Sequence, residues 1–175
     1  LQANHEDVSG KSVSIGGLDF DNDNNLWVTN SSTAEPVSVY TADGTWYSLR
    51  FDGTTVKEKR LRGMTVDNAG NKWLINKDAG VFVFNENGTF SDETDDEYRA
   101  LTTSPGGGNL PSNSVNCITT DIDGEVWVGT NEGLGVFYST ENIYNSSGVD
   151  AEQILLEQDG NIQVLLATEI NTATT

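Results

Sequence analysis

Cysteine and histidine are nearly absent from this chain: each occurs once in 175 residues, as Cys117 and His5. A single cysteine excludes an internal disulfide. A single histidine excludes a histidine-rich metal cluster, and a Cys–His nucleophilic pair would have to join Cys117 to the polar stretch Leu1–Ser12. No Gly-x-Ser-x-Gly elbow occurs. Basic residues are scarce too, 9 Lys and Arg against 27 Asp and Glu, for a net charge of −18 and a pI near 4.1. That balance argues against nucleic acid and against anionic membrane surfaces, both of which call for basic patches. It reads as a solvated surface, with attraction to a cationic partner or Ca²⁺ as the sharper alternative. No run approaches the roughly 20 apolar residues that span a bilayer. The chain begins at Leu1 rather than Met, so the sequence does not fix its own compartment.

What is present is glycine and aromatic side chains: 18 Gly, four Trp, five Tyr and six Phe. They recur in a pattern. The stretch Val115–Tyr138 holds three short β-prone runs, with Asp123-Gly124 between the first two and Asn131-Glu132-Gly133 between the last two. Such punctuation predicts hairpins. Two earlier stretches follow the same plan. Trp27, Trp73 and Trp127 are spaced by 46 and 54 residues, and Asp21, Asp67 and Asp121 keep the same spacings. A period of 40–55 residues with about four strands in each unit predicts β-propeller blades, small sheets that bury their faces only by stacking. The fold class expected is therefore all-β. About 3.5 four-stranded blades would make a partial propeller, or half of a seven-bladed ring shared by two chains.

The whole chain, 1–175, reads as one partial propeller domain. Repeat cores are expected at about 13–49, 63–90 and 115–138, with a fourth, incomplete unit at 153–175. The last contains two apolar runs flanking Asp159-Gly160, which favours a hairpin over a helix for Ala151–Glu157. Glu169–Thr175 is expected to open a fourth repeat. Between the second and third cores, Ser91–Asn113 reads as a polar insert whose acidic run Asp92–Glu97 repels itself into a loop. Cys117 falls on an apolar-facing strand position and is expected to be a small core residue.

Candidate site residues are few. Asp21-Asn22-Asp23-Asn24-Asn25 superficially resembles a calcium loop, which makes Asp21 and Asp23 weak metal candidates. The run fails the EF-hand pattern, because its sixth position is Leu26 rather than Gly and its twelfth is Ser32 rather than Glu. The same place in every repeat suits Asp and Asn bonding their own backbone in a turn. Trp27, Trp73 and Trp127 are expected to fill the core between blades. Trp46 and Tyr47 lie on an outer strand, where exposed rings could stack on sugars or anchor a protein partner; packing against the blade edge is the plainer alternative. No catalytic residue and no cofactor is expected.

Gly-x-x-x-Asp-x-x-Gly-Asn-x-Trp, then an Asn, then Gly-Val-x-Val-Phe, resembles the two-component-regulator propeller repeat of periplasmic sensor domains in Bacteroidetes. A second resemblance is to the propeller of PorZ-like type IX secretion proteins. It rests on Leu26–Asn30, Asp43–Ser48, Asn71-Lys72-Trp73, Gly133–Tyr138, Glu141–Tyr144 and Gln158–Gln163. The resemblance implies a cell-envelope location, periplasmic or at the cell surface, and a non-catalytic interaction domain. It implies a protein or an envelope glycan such as lipopolysaccharide as partner, with no nucleic acid and no membrane insertion. The alternatives it leaves are a ligand-sensing propeller of a hybrid sensor, taking an oligosaccharide, and a propeller enzyme such as a lyase. The open ends leave two readings: further blades were left out of this sequence, or a second copy completes the propeller as a homodimer.

Overall fold

Alternating runs with tight turns fold here into consecutive antiparallel meanders. The structure is a computed structural model that describes residues 14–31, 33–51, 54, 56, 61–145, 149–158 and 161–164. Blade 1 is β1 (Ser14–Phe20), β2 (Leu26–Ser31), β3 (Val37–Tyr40) and β4 (Trp46–Leu49). Blade 2 is β5 (Leu61–Val66), β6 (Lys72–Asn76), β7 (Val81–Asn85) and β8 (Glu97–Leu101). Blade 3 is β9 (Val115–Thr120), β10 (Val126–Thr130), β11 (Gly133–Phe137) and β12 (Glu152–Gln153). A two-stranded hairpin follows, β13 (Leu155–Gln158) with β14 (Asn161–Val164), as the Asp159-Gly160 signal predicted. In each blade the strands pair in sequence order. The innermost strands β1, β5 and β9 lie side by side. This all-β arrangement is that of a partial β-propeller.

Period-2 alternation gives each blade two faces. The near face looks toward the preceding blade and the far face toward the following one. On blade 1 the far face carries the cross-strand row Asp19, Trp27, Val39, Tyr47. On blade 2 the near face carries Val66, Lys72, Phe84, Tyr98. The two meet in one core built around Trp27, Val37, Val39, Leu49, Phe82 and Phe84. A second core joins the far face of blade 2 to the near face of blade 3 through Trp73, Val83, Leu101, Val126, Val128 and Phe137.

The close approach of β1 to β5 needs glycine. A Cβ on Gly17 would lie 2.7 Å from the Met64 nitrogen, and one on Gly16 would lie 2.2 Å from the Leu61 carbonyl oxygen. Between Arg99 and Asp150 the chain is held by backbone capture. The Arg99 guanidinium donates to the carbonyls of Ile143, Asn145 and Gly106, and the Asp150 carboxylate accepts from the N–H groups of Gly106 and Gly108.

Several expectations change. The second blade does not end at residue 90: its outer strand β8 begins at Glu97, inside the stretch read as a loop, and Asp92–Asp96 alone keeps that role. Blade 3 likewise extends past 138 to recruit β12. Cys117 is exposed rather than core. It sits on the far face of blade 3 opposite Gly129, and no described blade covers that face. His5, residues 1–13, most of 52–60 and the start of a fourth repeat at 169–175 fall outside the described residues.

Candidate functional site

The recurrent aspartate is the busiest polar group in each blade. It opens a tight turn between the first two strands: the Asp21 amide donates to the Asn25 carbonyl and the Asn24 amide back to Asp21, with the same pairs at Asp67 and Asp121. The fourth turn residue has positive φ in every case, Asn24 at 62°, Gly70 at 82° and Gly124 at 87°. Asn and Gly tolerate that region, which is why they stand there.

The carboxylate then locks the turn. Asp21 Oδ1 accepts the amides of Asp23 and Asn25, both at 2.9 Å. Its Oδ2 accepts the Asn25 side-chain amide and the Trp27 indole N–H, both at 2.8 Å. Asp67 repeats all four contacts with Ala69, Asn71 and Trp73. Asp121 repeats three, with Asp123, Glu125 and Trp127. Burial pushes the Asp21 pKa up, but the donors from Trp27, Asn25 and Asp23 outweigh it and leave it below the usual carboxylate range. With its acceptor positions taken, Asp21 has none spare for a metal ion. Asp23 is exposed on the turn. Among the described residues no group of three acidic, Cys or His ligands converges.

Blade 3 departs from the plan at one position. Glu125 stands where Asn25 and Asn71 stand, and places a carboxyl group beside Asp121 instead of an amide. Burial first, then the charges of Asp121 and Asp123, hold the Glu125 pKa above its ordinary value.

The tryptophans fixed by these aspartates seat on the next blade. Trp27 meets Phe84 edge-on at 5.8 Å and Phe90 at 5.9 Å. Trp73 meets Phe137 at 5.1 Å. Both are fully buried. Trp127 keeps its Asp121 bond but is half-buried, because no described blade covers its face.

A buried ion pair was not legible in the sequence. Lys72 pairs with Glu86, and its ammonium lies 4.3 Å from the Trp27 ring centroid. Burial pulls the Lys72 pKa down while Glu86 opposes it. Its counterparts in the other blades are Leu26 and Val126, so sequence periodicity marked this place as apolar.

The two rings proposed as contact residues separate. Tyr47 faces blade 2 and is half-buried against Phe90, with centroids 5.3 Å apart. Trp46 is 38% exposed and pairs instead with Tyr40, also 38% exposed, at 4.9 Å. Ser38 and Ser48 share a hydrogen bond one step along the same face. Tyr98, the counterpart of Trp46 in blade 2, stays 52% exposed although blade 1 lies against that face. Exposure of this outermost position therefore belongs to the rim of a blade and not only to an open end.

These meanders, stacked through an Asp-anchored Trp, define the β-propeller class. Within it, residues 109–132 match the family model described as two component regulator propeller. No curated protein matches the chain. Among solved structures, PorZ, described as an essential bacterial surface component of the type-IX secretion system of Porphyromonas gingivalis, superposes with a TM-score of 0.73 at 22% identity. That match covers 87% of this chain and 22% of PorZ. Virginiamycin B lyase from Staphylococcus aureus gives 0.56 at 15% identity, over 87% of this chain and 44% of the enzyme. The extracellular domain of a putative hybrid two component system from B. thetaiotaomicron gives 0.51 at 16%, over 97% of this chain and 24% of that domain. The chain thus spans less than half the length of each of these proteins. At these identities the likeness shows the fold.

Proposed function

We propose that this chain is part of a non-catalytic β-propeller that serves as an interaction domain at a bacterial cell envelope, as a PorZ-like secretion component. The observation that carries the reading is the Tyr40–Trp46 ring pair. It is an exposed aromatic surface at a blade rim, beside the hydroxyls of Ser38 and Ser48. Such a surface suits a glycan ring or an apolar protein anchor. The recurring carboxylates, by contrast, are consumed in holding turns and indoles, which favours binding over acid–base chemistry. The stronger superposition on PorZ than on the lyase supports the envelope setting. A lyase variant with histidine changed to alanine is described as catalytically inactive. The one histidine here, His5, lies in the polar N-terminal stretch.

The test is calorimetric titration of the chain with purified lipopolysaccharide. Saturable binding that weakens at least tenfold in Trp46→Ala, with unchanged thermal stability, supports the reading. Equal binding by wild type and variant, or none by either, overturns the assignment to this rim. A second reading, a ligand-sensing propeller domain of a hybrid sensor, is favoured by the family match at residues 109–132. Binding of neutral oligosaccharides in place of lipopolysaccharide would select it.

A further inference from the structure

The outermost aromatic ring of blade 1 has a twin on blade 2, and the two are built alike. Trp46 stands opposite Tyr40 in the register of blade 1, and Tyr98 stands opposite Phe84 in the register of blade 2. Each ring is backed by another on its own sheet. Trp46 leans on Tyr40 at 4.9 Å with 37° between the planes, and Tyr98 stacks on Phe82 at 5.9 Å and 23°. A ring backed in this way offers its other face to solvent, and Trp46 is 38% and Tyr98 52% exposed. Blade 1 already lies against the face of blade 2 that carries Tyr98. The exposure of this position therefore does not depend on what stands beside a blade.

The surface between the two rings is aromatic as well. Tyr47, next to Trp46 on β4, lies 5.3 Å from Phe90, which the β7–β8 connection folds back onto blade 1. Tyr47 and Tyr98 close the outer ends of the two rows that meet in that joint. Trp46, Tyr47, Phe90 and Tyr98 thus follow one another across the outer surface from blade 1 to blade 2. The series stops there, because the register of blade 3 sets Ala151, 3% exposed, in the place of Trp46. The polar groups beside the rings are hydroxyls and carboxylates. Ser48 shares the face of Trp46, and the turn before it carries the exposed Asp43. The connection that leads from Phe90 into Tyr98 carries the exposed Asp92, Glu93, Asp95 and Glu97.

We propose that this strip binds a linear polysaccharide whose chain is uncharged where it crosses the two blades. The inference deepens the reading of the rim given above and rests on it. Two like platforms in register fit a ligand that repeats, and a polymer of sugar rings presents an apolar face for stacking at each repeat. The flanking carboxylates accept hydrogen bonds from sugar hydroxyls and repel phosphate and carboxylate groups, which keeps the phosphorylated end of a lipopolysaccharide off the strip. A protein anchor, by contrast, needs a desolvated pocket, and both rings stand over solvent. Binding at one platform raises the local concentration of the next repeats at the other, so two weak contacts combine into one firm one.

The test is calorimetric titration of the 175-residue chain with two probes. One is a lipopolysaccharide carrying a long, uncharged polysaccharide; the other is the same lipopolysaccharide truncated to its core. The long-chain probe should bind roughly tenfold tighter or more. Tyr98→Ala and Trp46→Ala should each remove that advantage with unchanged thermal stability. Tyr98→Phe, which keeps the ring, should bind as wild type does. If only one of the two alanine variants weakens binding, the two-blade strip is overturned; where that one is Trp46→Ala, the rim reading stands without it. Equal affinity for the two probes overturns the strip as well, and so does a Tyr98→Phe variant as weak as Tyr98→Ala. If neither probe binds, the rim reading and the strip fall together.

Discussion

The indole N–H of Trp73 donates to Oδ2 of Asp67 at 2.9 Å, six residues back in the chain, and both side chains are buried. One carboxylate thereby couples a local turn to the packing of two blades. It holds the turn through the amides of Ala69 and Asn71, and it sets the plane of the ring that blade 3 receives through Phe137.

Replacing Asp67 by Ala strands four donors at once, in a place where water cannot replace the acceptor. The expected loss is roughly 3 kcal/mol of stability, since hydrogen bonds to a charged acceptor are worth about 1.5–3 kcal/mol each and the donors relax in part. Denaturant unfolding checks it. Asp121→Ala, at the open blade, should cost clearly less.

Lys72 and Glu86 give a different signature. Lys72→Leu alone leaves the Glu86 carboxylate buried without its partner, and should destabilise by about 3–5 kcal/mol. Lys72→Leu combined with Glu86→Leu should recover most of that loss, because Leu26 and Val126 show that the position accepts an apolar side chain. A double-mutant cycle by chemical denaturation measures the coupling.

Asp96 sets a pH dependence. Its burial, together with the charges of Asp95, Glu93, Glu86 and Asp92, raises its pKa from 3.8 to about 6. The folded state therefore binds this proton more tightly than the unfolded chain. The sign follows: the contribution of Asp96 is most favourable below pH 3.8 and declines as pH rises from about 4 to 6. Asp96→Asn should flatten the Tm profile across that window and raise Tm at pH 7.

Glu125→Asn restores the amide found at Asn25 and Asn71. It removes a carboxyl group from beside Asp121 and supplies a donor for it. The variant should unfold at a higher temperature than wild type at pH 7, and the gain should shrink at pH 4, where Glu125 is largely protonated. A pair of thermal scans at the two pH values decides it.

Much of the fold was legible because the repeat is carried by residues with strict geometric roles. Asp21, Asp67 and Asp121 cannot move relative to their tryptophans without losing the indole bond, so their spacing survives in the sequence. The outer strands were harder to read. Glu97–Leu101 emerges from an acidic run and buries only Leu101 fully, so its strand character comes from pairing with β7 rather than from its own pattern. β12 is two residues long and leaves almost no pattern. Cys117 was misplaced because period-2 alternation assigns a residue to a face, while only the stacking order says whether another blade covers it. The Lys72–Glu86 pair joins residues 14 apart across a hairpin, a contact that neither local pattern announces. At the candidate rim, Trp46 was legible as an outer ring, but Tyr40 was not, because its partnership is made across β3 and β4.

The central claim is that the aspartate-anchored tryptophans form the joints between blades while Trp46 stays at the rim. Hydrogen exchange of the four indole N–H groups, resolved by nitrogen-15 correlation spectra and assigned by single Trp→Phe variants, tests it directly. Strong protection of Trp27 and Trp73, weaker protection of Trp127 and rapid exchange at Trp46 is the predicted order. Equal exchange at all four, or a protected Trp46 with exposed Trp27 and Trp73, would contradict the account.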